Sequence, residues 1–273
     1  MDRKRGKKLS NLIYRFMDFT KFVDMVIHEN ITLVDPLLWD DPYEKEFFSE
    51  YMRQKSKAGD FKENLSKYGY DLELILKLIV SKNIYALSWT RIEESDALWR
   101  IYSDNNQSIR IAVNEESLRN LDDCILYDVN YKDFNTKDDV LNYSFYELFS
   151  TKRTAFEHEH EVRLISHLKF PYEKEKLEEY IKAYFLIYGK NYSYLKDVNK
   201  EEDIKDIVES AIKLINANSK QKIRKIPVTP IQDFIFSVML HPKASAWQDD
   251  MVKTFCDKFG LNYLGKSNLY KID

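Results

Sequence analysis

The 273-residue chain predicts an α+β fold in a single domain spanning residues 1–273. Three observations lead there. Strand-like and helix-like segments follow one another without the even spacing of repeated βαβ units. Neither a Gly-x-Gly-x-x-Gly nor a Walker-type phosphate loop occurs, and no Gly-x-Ser-x-Gly elbow is present, which sets aside Rossmann, P-loop and α/β-hydrolase architectures. Tyr (19) and Phe (16) far outnumber Gly and Pro at six each, so regular elements packed through aromatic rings are favoured over a loop-rich scaffold.

Taken in order, Leu12 to Phe16 reads as an opening strand. From Thr20 to Glu29, Phe22, Val23, Val26 and Ile27 fall at helical spacing. Ile31 to Val34 is a second short strand, leading through Asp35-Pro36 into a loop at 39–44 that reads Trp-Asp-Asp-Pro-Tyr-Glu. Helices are expected over 45–57 and 61–80. The apolar stripe of the second (Leu65, Tyr68, Leu72, Ile75, Leu76 and Ile79) is a core-packing stripe, not a cofactor surface. Ile84 to Trp89 is strand-like, and a short helix over Glu94 to Tyr102 begins near Ser95-Asp96. Ser108 to Val113 and Cys124 to Tyr131 alternate at period two, and Lys137 to Phe149 is helical. Beyond an acidic strand, residues 171–222 are rich in Lys, Glu and Tyr and read as a helical insertion or cover within the domain. Strand character returns over Phe234 to Leu240, then a helix over Ala246 to Phe259 and a last strand near Asn262 to Leu264.

A hydrophobic share of 44% argues against disorder, and a net charge of −3 supplies no protein-wide positive field for nucleic acid. Basic charge is local: Arg3, Lys4, Arg5, Lys7 and Lys8 at the start, and Lys220, Lys222, Arg224 and Lys225 later. Either group is able to touch phosphates; a solvated tail and a solvated loop are the plainer readings. Cys124 and Cys256 lie far apart without metal-like spacing, as in a reducing compartment. No apolar run follows the basic start to make a signal peptide. The longest apolar stretch, Leu72 to Val80, is interrupted by Glu73 and Lys77 and too short to span a bilayer. A cytoplasmic protein without membrane contact is expected.

The chemistry-bearing stretch is Phe156 to Ile165, Phe-Glu-His-Glu-His-Glu-Val-Arg-Leu-Ile. Val162 to Ile165 has strand character. If the alternation runs back through the acidic half, Glu157, Glu159, Glu161 and Arg163 share one face, with Phe156, His158 and His160 on the other. Three carboxylates facing one way with a single cation repel unless something compensates, so a site is suggested. A solvated edge strand is the bland alternative. A metal site fits less well, because the His residues then point away from the Glu residues.

Four pieces of sequence stand in order. Tyr14-Arg15-Phe16 lies on the first strand, and Asp40-Asp41-Pro42-Tyr43-Glu44 follows the second. Leu87-Ser88-Trp89 is succeeded by Leu98-Trp99-Arg100-Ile101-Tyr102, and Lys152 precedes the acidic stretch. This order, with the closing Ser267-Asn268-Leu269-Tyr270, resembles an uncharacterised bacterial family. Its members carry Y-[KR]-[YF], N-D-P-x-E, F-S then M-W-x-x-Y, K-x-x-x-W-x-Y-E-x-E-x-R and S-x-L-Y. Asp40, Leu98, Phe156 and His158 depart from that pattern. The family in turn resembles a distant branch of the ADP-ribosyltransferase superfamily. That resemblance implies a mixed, largely antiparallel split sheet with flanking helices, NAD as substrate, and a basic residue, a hydroxyl and a glutamate from three strands. The matching positions are Arg15, Ser88 and Glu161, with Glu159 as the first glutamate of an E-x-E pair.

The residue types suit that chemistry. Cleaving the nicotinamide–ribose bond passes through an oxocarbenium-like state that the carboxylate of Glu161 would stabilise. Glu159 would orient the incoming nucleophile or take its proton. Arg15 offers a forked cation for the diphosphate, Ser88 a hydroxyl for ribose, and Tyr14, Tyr85, Trp89 or Tyr102 a ring to stack on nicotinamide. The leading expectation is an NAD-dependent ADP-ribosyltransferase, a bacterial toxin or phage-defence effector, with an RNA, DNA or protein acceptor and an antitoxin as partner. Two other classes compete. One is a non-catalytic regulatory module binding a nucleotide or protein; the other is a metal-dependent hydrolase built on the Glu157–Glu161 strand.

Overall fold

Asp18 closes the first strand, β1 (Leu12–Asp18), and caps the helix that follows, α1 (Phe19–His28), by accepting a hydrogen bond from the Lys21 amide at 2.8 Å. Such a cap satisfies one of the amides left open at a helix start. The structure, a computed structural model, describes residues 11–39, 41–44, 84–103, 105–132, 147–167 and 222–272. The helices expected over 45–57, 61–80 and 171–222, most of that over 137–149, and the basic start at 3–8 lie outside the described residues.

Eleven strands are described. After α1 come β2 (Asn30–Val34) and β3 (Ile84–Thr90), the latter leading to α2 (Asp96–Ile101), capped by the Ser95 side chain as expected. The chain continues through β4 (Ser108–Asn114), α3 (Glu115–Arg119), β5 (Cys124–Asp128), β6 (Asn130–Tyr131), β7 (Thr151–Lys152) and β8 (Glu161–His167). It ends with β9 (Ile223–Pro227), α4 (Ile231–Phe234), β10 (Ile235–Leu240), α5 (Ala246–Lys258) and β11 (Tyr263–Lys266). Nine strands form one mixed sheet, ordered β11-β10-β4-β1-β3-β2-β9, with β8 pairing β3 and β5. Only β10 and β11 run parallel in it. The α+β class expected from the sequence is therefore what the chain adopts.

Two expectations fail locally. The sequence pattern places Lys222, Arg224 and Lys225 in a solvated basic loop. Instead Arg224 and Lys225 lie on β9, an edge strand zipped to β2 from Asn30↔Pro227 to Val34↔Ile223. Arg224 pairs with Asp123 and Lys225 with Asp24. Alternating charge on an edge strand blocks further pairing and looks like a loop in sequence. The second is the acidic strand, which begins only at Glu161.

α1 and α5 cover one face of the sheet. Phe19 and Phe22 of α1 meet Phe255 of α5 with ring centroids 6.2 and 5.8 Å apart. The main core lies beneath them and takes Ile13 and Met17 of β1, Leu87 and Trp89 of β3, and Val162 and Leu164 of β8. Alternation sends Tyr14, Phe16, Ser88, Thr90, Glu161 and Arg163 to the opposite face. A smaller cluster of Phe16, Leu98 and Trp99 packs α2 there, with Phe16 and Trp99 edge to face at 4.7 Å.

Candidate functional site

The site forms where the sheet divides. One edge of β3 is occupied throughout by β8, from Ile84↔His167 to Thr90↔Glu161. The other edge is shared: β1 meets it only at Tyr14↔Thr90, and β2 only at Val34↔Ala86. Between these bridges Leu87, Ser88 and Trp89 have no strand partner on that side. Arg15 reaches across and donates to the Ser88 carbonyl, satisfying a backbone acceptor that a regular ladder would have paired. Over this division lies a cleft of about 690 Å3, within the range of small-molecule sites.

The acidic stretch does not run as one strand. Thr154–Glu159 is a turn of 3₁₀ helix, His160 sits in the left-handed region at φ 41, and β8 begins only at Glu161. The expectation that Glu157, Glu159, Glu161 and Arg163 line one face by alternation is therefore corrected. Glu157, His158 and His160 are exposed. Glu159 and Glu161 still come together, at 6% and 5% exposure, because the αL residue turns the chain between them. The break is held by Thr90, whose hydroxyl donates to the Glu159 carbonyl at 2.6 Å, and by the Arg91 amide on the His160 carbonyl at 3.0 Å.

What compensates the two carboxylates is internal. Lys152 Nζ lies 2.8 Å from Glu159 Oε2 and 3.0 Å from Glu161 Oε2. Arg163 grips Glu161 with both edges of its fork, Nε to Oε1 at 2.7 Å and Nη2 to Oε2 at 3.1 Å. The same guanidinium reaches Glu44 Oε1 at 2.6 Å and the Phe149 carbonyl at 2.7 Å, and lies 4.2 Å from the Trp39 ring centre. Burial alone would raise the Glu161 carboxyl. The charge and hydrogen bonds of Arg163, then Lys152 and the Ser88 hydroxyl, outweigh it and hold the group down at about 2. Burial works against the charge of Lys152, yet its two glutamates push its pKa up. The Glu161 amide donates to the Tyr131 hydroxyl at 2.7 Å, so the residue is fixed at both ends.

The cleft brings together Arg15, Ser88, Glu159 and Glu161 from three parts of the sequence. Tyr14 lines it too, and Arg110 lies 5.1 Å from its ring centre. Tyr102, 40% exposed, lines it with its phenol pushed up to about 12 by burial and by Glu159 and Glu161. Two aromatic assignments are corrected. Trp89, at 2% exposure, belongs to the main core and offers no open ring face, although it touches the floor of the cleft. Tyr85 is a core residue, 4% exposed, and is not among the cleft-lining residues. Both sit at odd positions of β3, whose even positions face the cleft.

Sequence reasoning missed the roles of Lys152, Arg153, Arg163 and Glu44. Arg153 pairs with Asp41 at 3.2 Å and stacks 3.9 Å from the Tyr43 ring centre, so residues 41–44, of which 42–44 are helical and not the loop expected, are tied down by Arg153 and Arg163 together. Glutamates at 157, 159 and 161 beside one arginine were the available signal, since any of them that is buried needs a cation from elsewhere in the chain. Among the described residues, no group of three or more His, Cys, Asp or Glu side chains is arranged to hold a metal ion. No helix among them is long and apolar enough to cross a membrane. Comparison with protein-family models, curated proteins and solved structures found no match.

Proposed function

We propose that this protein cleaves NAD at the nicotinamide–ribose bond and transfers ADP-ribose to a macromolecular acceptor, an RNA, DNA or protein. The observation that carries the reading is the convergence of Arg15, Ser88 and Glu161 in one cleft at a division of the sheet. In this reading Glu161 stays ionised across the working pH range and faces the anomeric carbon as positive charge develops there. Lys152 and Arg163 hold its orientation. The C1′–nitrogen bond breaks, nicotinamide leaves with the electron pair, and an acceptor oxygen or nitrogen bonds to C1′. Glu159 takes the acceptor's proton. Tyr102 is the ring best placed to stack on nicotinamide, and Arg15 supplies charge for the diphosphate.

A second reading has one observation in its favour. Both oxygens of Glu161 are already engaged by Arg163 and Lys152, as suits a module that binds a nucleotide without cleaving it. NAD labelled in its adenylate half, incubated with protein and cell extract treated with nuclease, protease or neither, separates the two. The transferase reading expects labelled macromolecule and free nicotinamide, with Glu161→Gln slowing nicotinamide release about a hundredfold or more. Saturable NAD binding without release under any condition, or release at the parent rate by Glu161→Gln, would overturn it.

A further inference from the structure

Behind the division of the sheet lies a second cavity, of about 500 Å3, on the face covered by α1. Arg15, Val34, Leu87 and Trp89 line both this cavity and the front cleft. One layer of side chains therefore separates front from back, at the place where β3 lacks a strand partner. Between the bridges at Ala86 and Thr90 that edge runs roughly 13 Å at strand rise. The Arg15 side chain crosses it.

Arg15 differs from the other cations of the cleft. Lys152, Arg153 and Arg163 each face a carboxylate. Arg15 is half-buried and bonds the Ser88 carbonyl, with no carboxylate at ion-pair distance among the described residues. Burial pulls its pKa down to about 10, and Glu161 and Asp18 act on it only from beyond ion-pair distance, so an anion in direct contact would relieve that cost. The rear cavity is lined by Met25, Ile31 and Leu87, which suit a flat base, and by Thr32, Thr20 and Asp24; Thr20 bonds Asp18 and Asp24 pairs with Lys225, so ribose hydroxyls would bind Thr32 directly and exchange into the other two contacts.

We propose that the two cavities are halves of one dinucleotide site threaded through the division of the sheet, with phosphate at Arg15 and the purine nucleoside in the rear cavity. This rests on the reading of the front cleft as an NAD site. It divides recognition between the faces: the bond to be broken lies in front, and the adenylate half is bound behind, against α1.

Calorimetric titration of the full chain with AMP, nicotinamide mononucleotide and NAD tests this. Thr32→Phe, which fills the rear cavity, and Thr20→Trp at the exposed start of α1 are expected to weaken AMP and NAD about tenfold or more. They should leave nicotinamide mononucleotide within about twofold. Arg15→Gln should weaken all three. Thermal melts establish that each variant folds, and Thr20→Trp, at a surface position, carries the test if Thr32→Phe does not. Failure of the parent protein to bind AMP overturns the proposal. So does unchanged AMP affinity in the folded variants, or equal weakening of AMP and nicotinamide mononucleotide. The two failures are separable: AMP binding lost in Thr20→Trp while no NAD is ever cleaved refutes the transferase and leaves the rear site standing. NAD cleavage with AMP indifferent to both fillings refutes the rear site alone.

Discussion

Arg163 holds three segments that are far apart in sequence. Its guanidinium bonds Glu161 two residues earlier on its own strand, the Phe149 carbonyl, and Glu44, which follows Asp41-Pro42. A buried cation with two carboxylates and a carbonyl is costly to remove, because its partners stay behind uncompensated. Arg163→Leu is expected to lose about 3–5 kcal/mol of unfolding free energy in urea titration. Adding Glu161→Gln to that background should recover part of the loss; no recovery would mean that the loss comes from Glu44, the Phe149 carbonyl and packing on Trp39 and not from an unpaired Glu161. Burial also raises the Glu44 carboxyl, opposed by Arg163, so Glu44 is the second acid set free in that variant. None of this geometry was legible in the residue string. Arg163 stood out as the one cation beside three glutamates, while Lys152 and Glu44 were only members of short motifs. Contacts spanning 119 residues leave no trace in local spacing.

At the level of elements, periodicity located most strands and helices to within a residue or two. β1, α1, β2, β3, β4, β10 and α5 fall where alternation or 3.6-residue spacing places them. α5 starts with a capping box in which Ser245 and Gln248 bond reciprocally. Misreadings occurred where charge replaced hydrophobicity as the pattern. Acidic alternation at 157–161 imitated a strand, but it is a 3₁₀ turn closed by a residue at positive φ. β9 carries so much charge that it imitated a loop. The His160 conformation makes the turn testable. His160→Gly should leave stability unchanged or raise it by up to about 1 kcal/mol, since glycine carries no penalty at φ 41. His160→Val should cost about 1–2 kcal/mol. The opposite order in thermal or urea unfolding would show that an extended strand continues through position 160.

For the whole molecule, the buried ionic network makes folding dependent on pH in a stated direction. Glu161 has a folded pKa of about 2 against an ordinary 4.5. A depressed carboxyl contributes its full stabilisation above the ordinary value and loses it as pH falls towards the folded one. That contribution is on the order of 3 kcal/mol and fades between about pH 5 and pH 2. Glu44, raised by burial, works in the opposite sense and offsets part of the fall. Urea midpoints should therefore stay level down to about pH 5 and then drop. Glu161→Gln should be less stable at neutral pH yet flatter through the acid range. A parent profile with the same acid slope as that variant would remove Glu161 from the network. By itself, the sequence determined the α+β class and the order of most elements, because propensity and patterning are local properties; Arg15, Ser88, Glu159 and Glu161 were singled out through the resemblance, and the fold places all four along one cleft. Only the tertiary structure decided that β1 and β2 share one edge of β3 and part there, that Lys152 and Arg163 neutralise the acidic pair, and that Tyr102 stands open in the cleft while Trp89 is buried in its floor. Those outcomes depend on register and on which segments meet across the sheet, and long-range pairing is fixed by the packing of the whole chain.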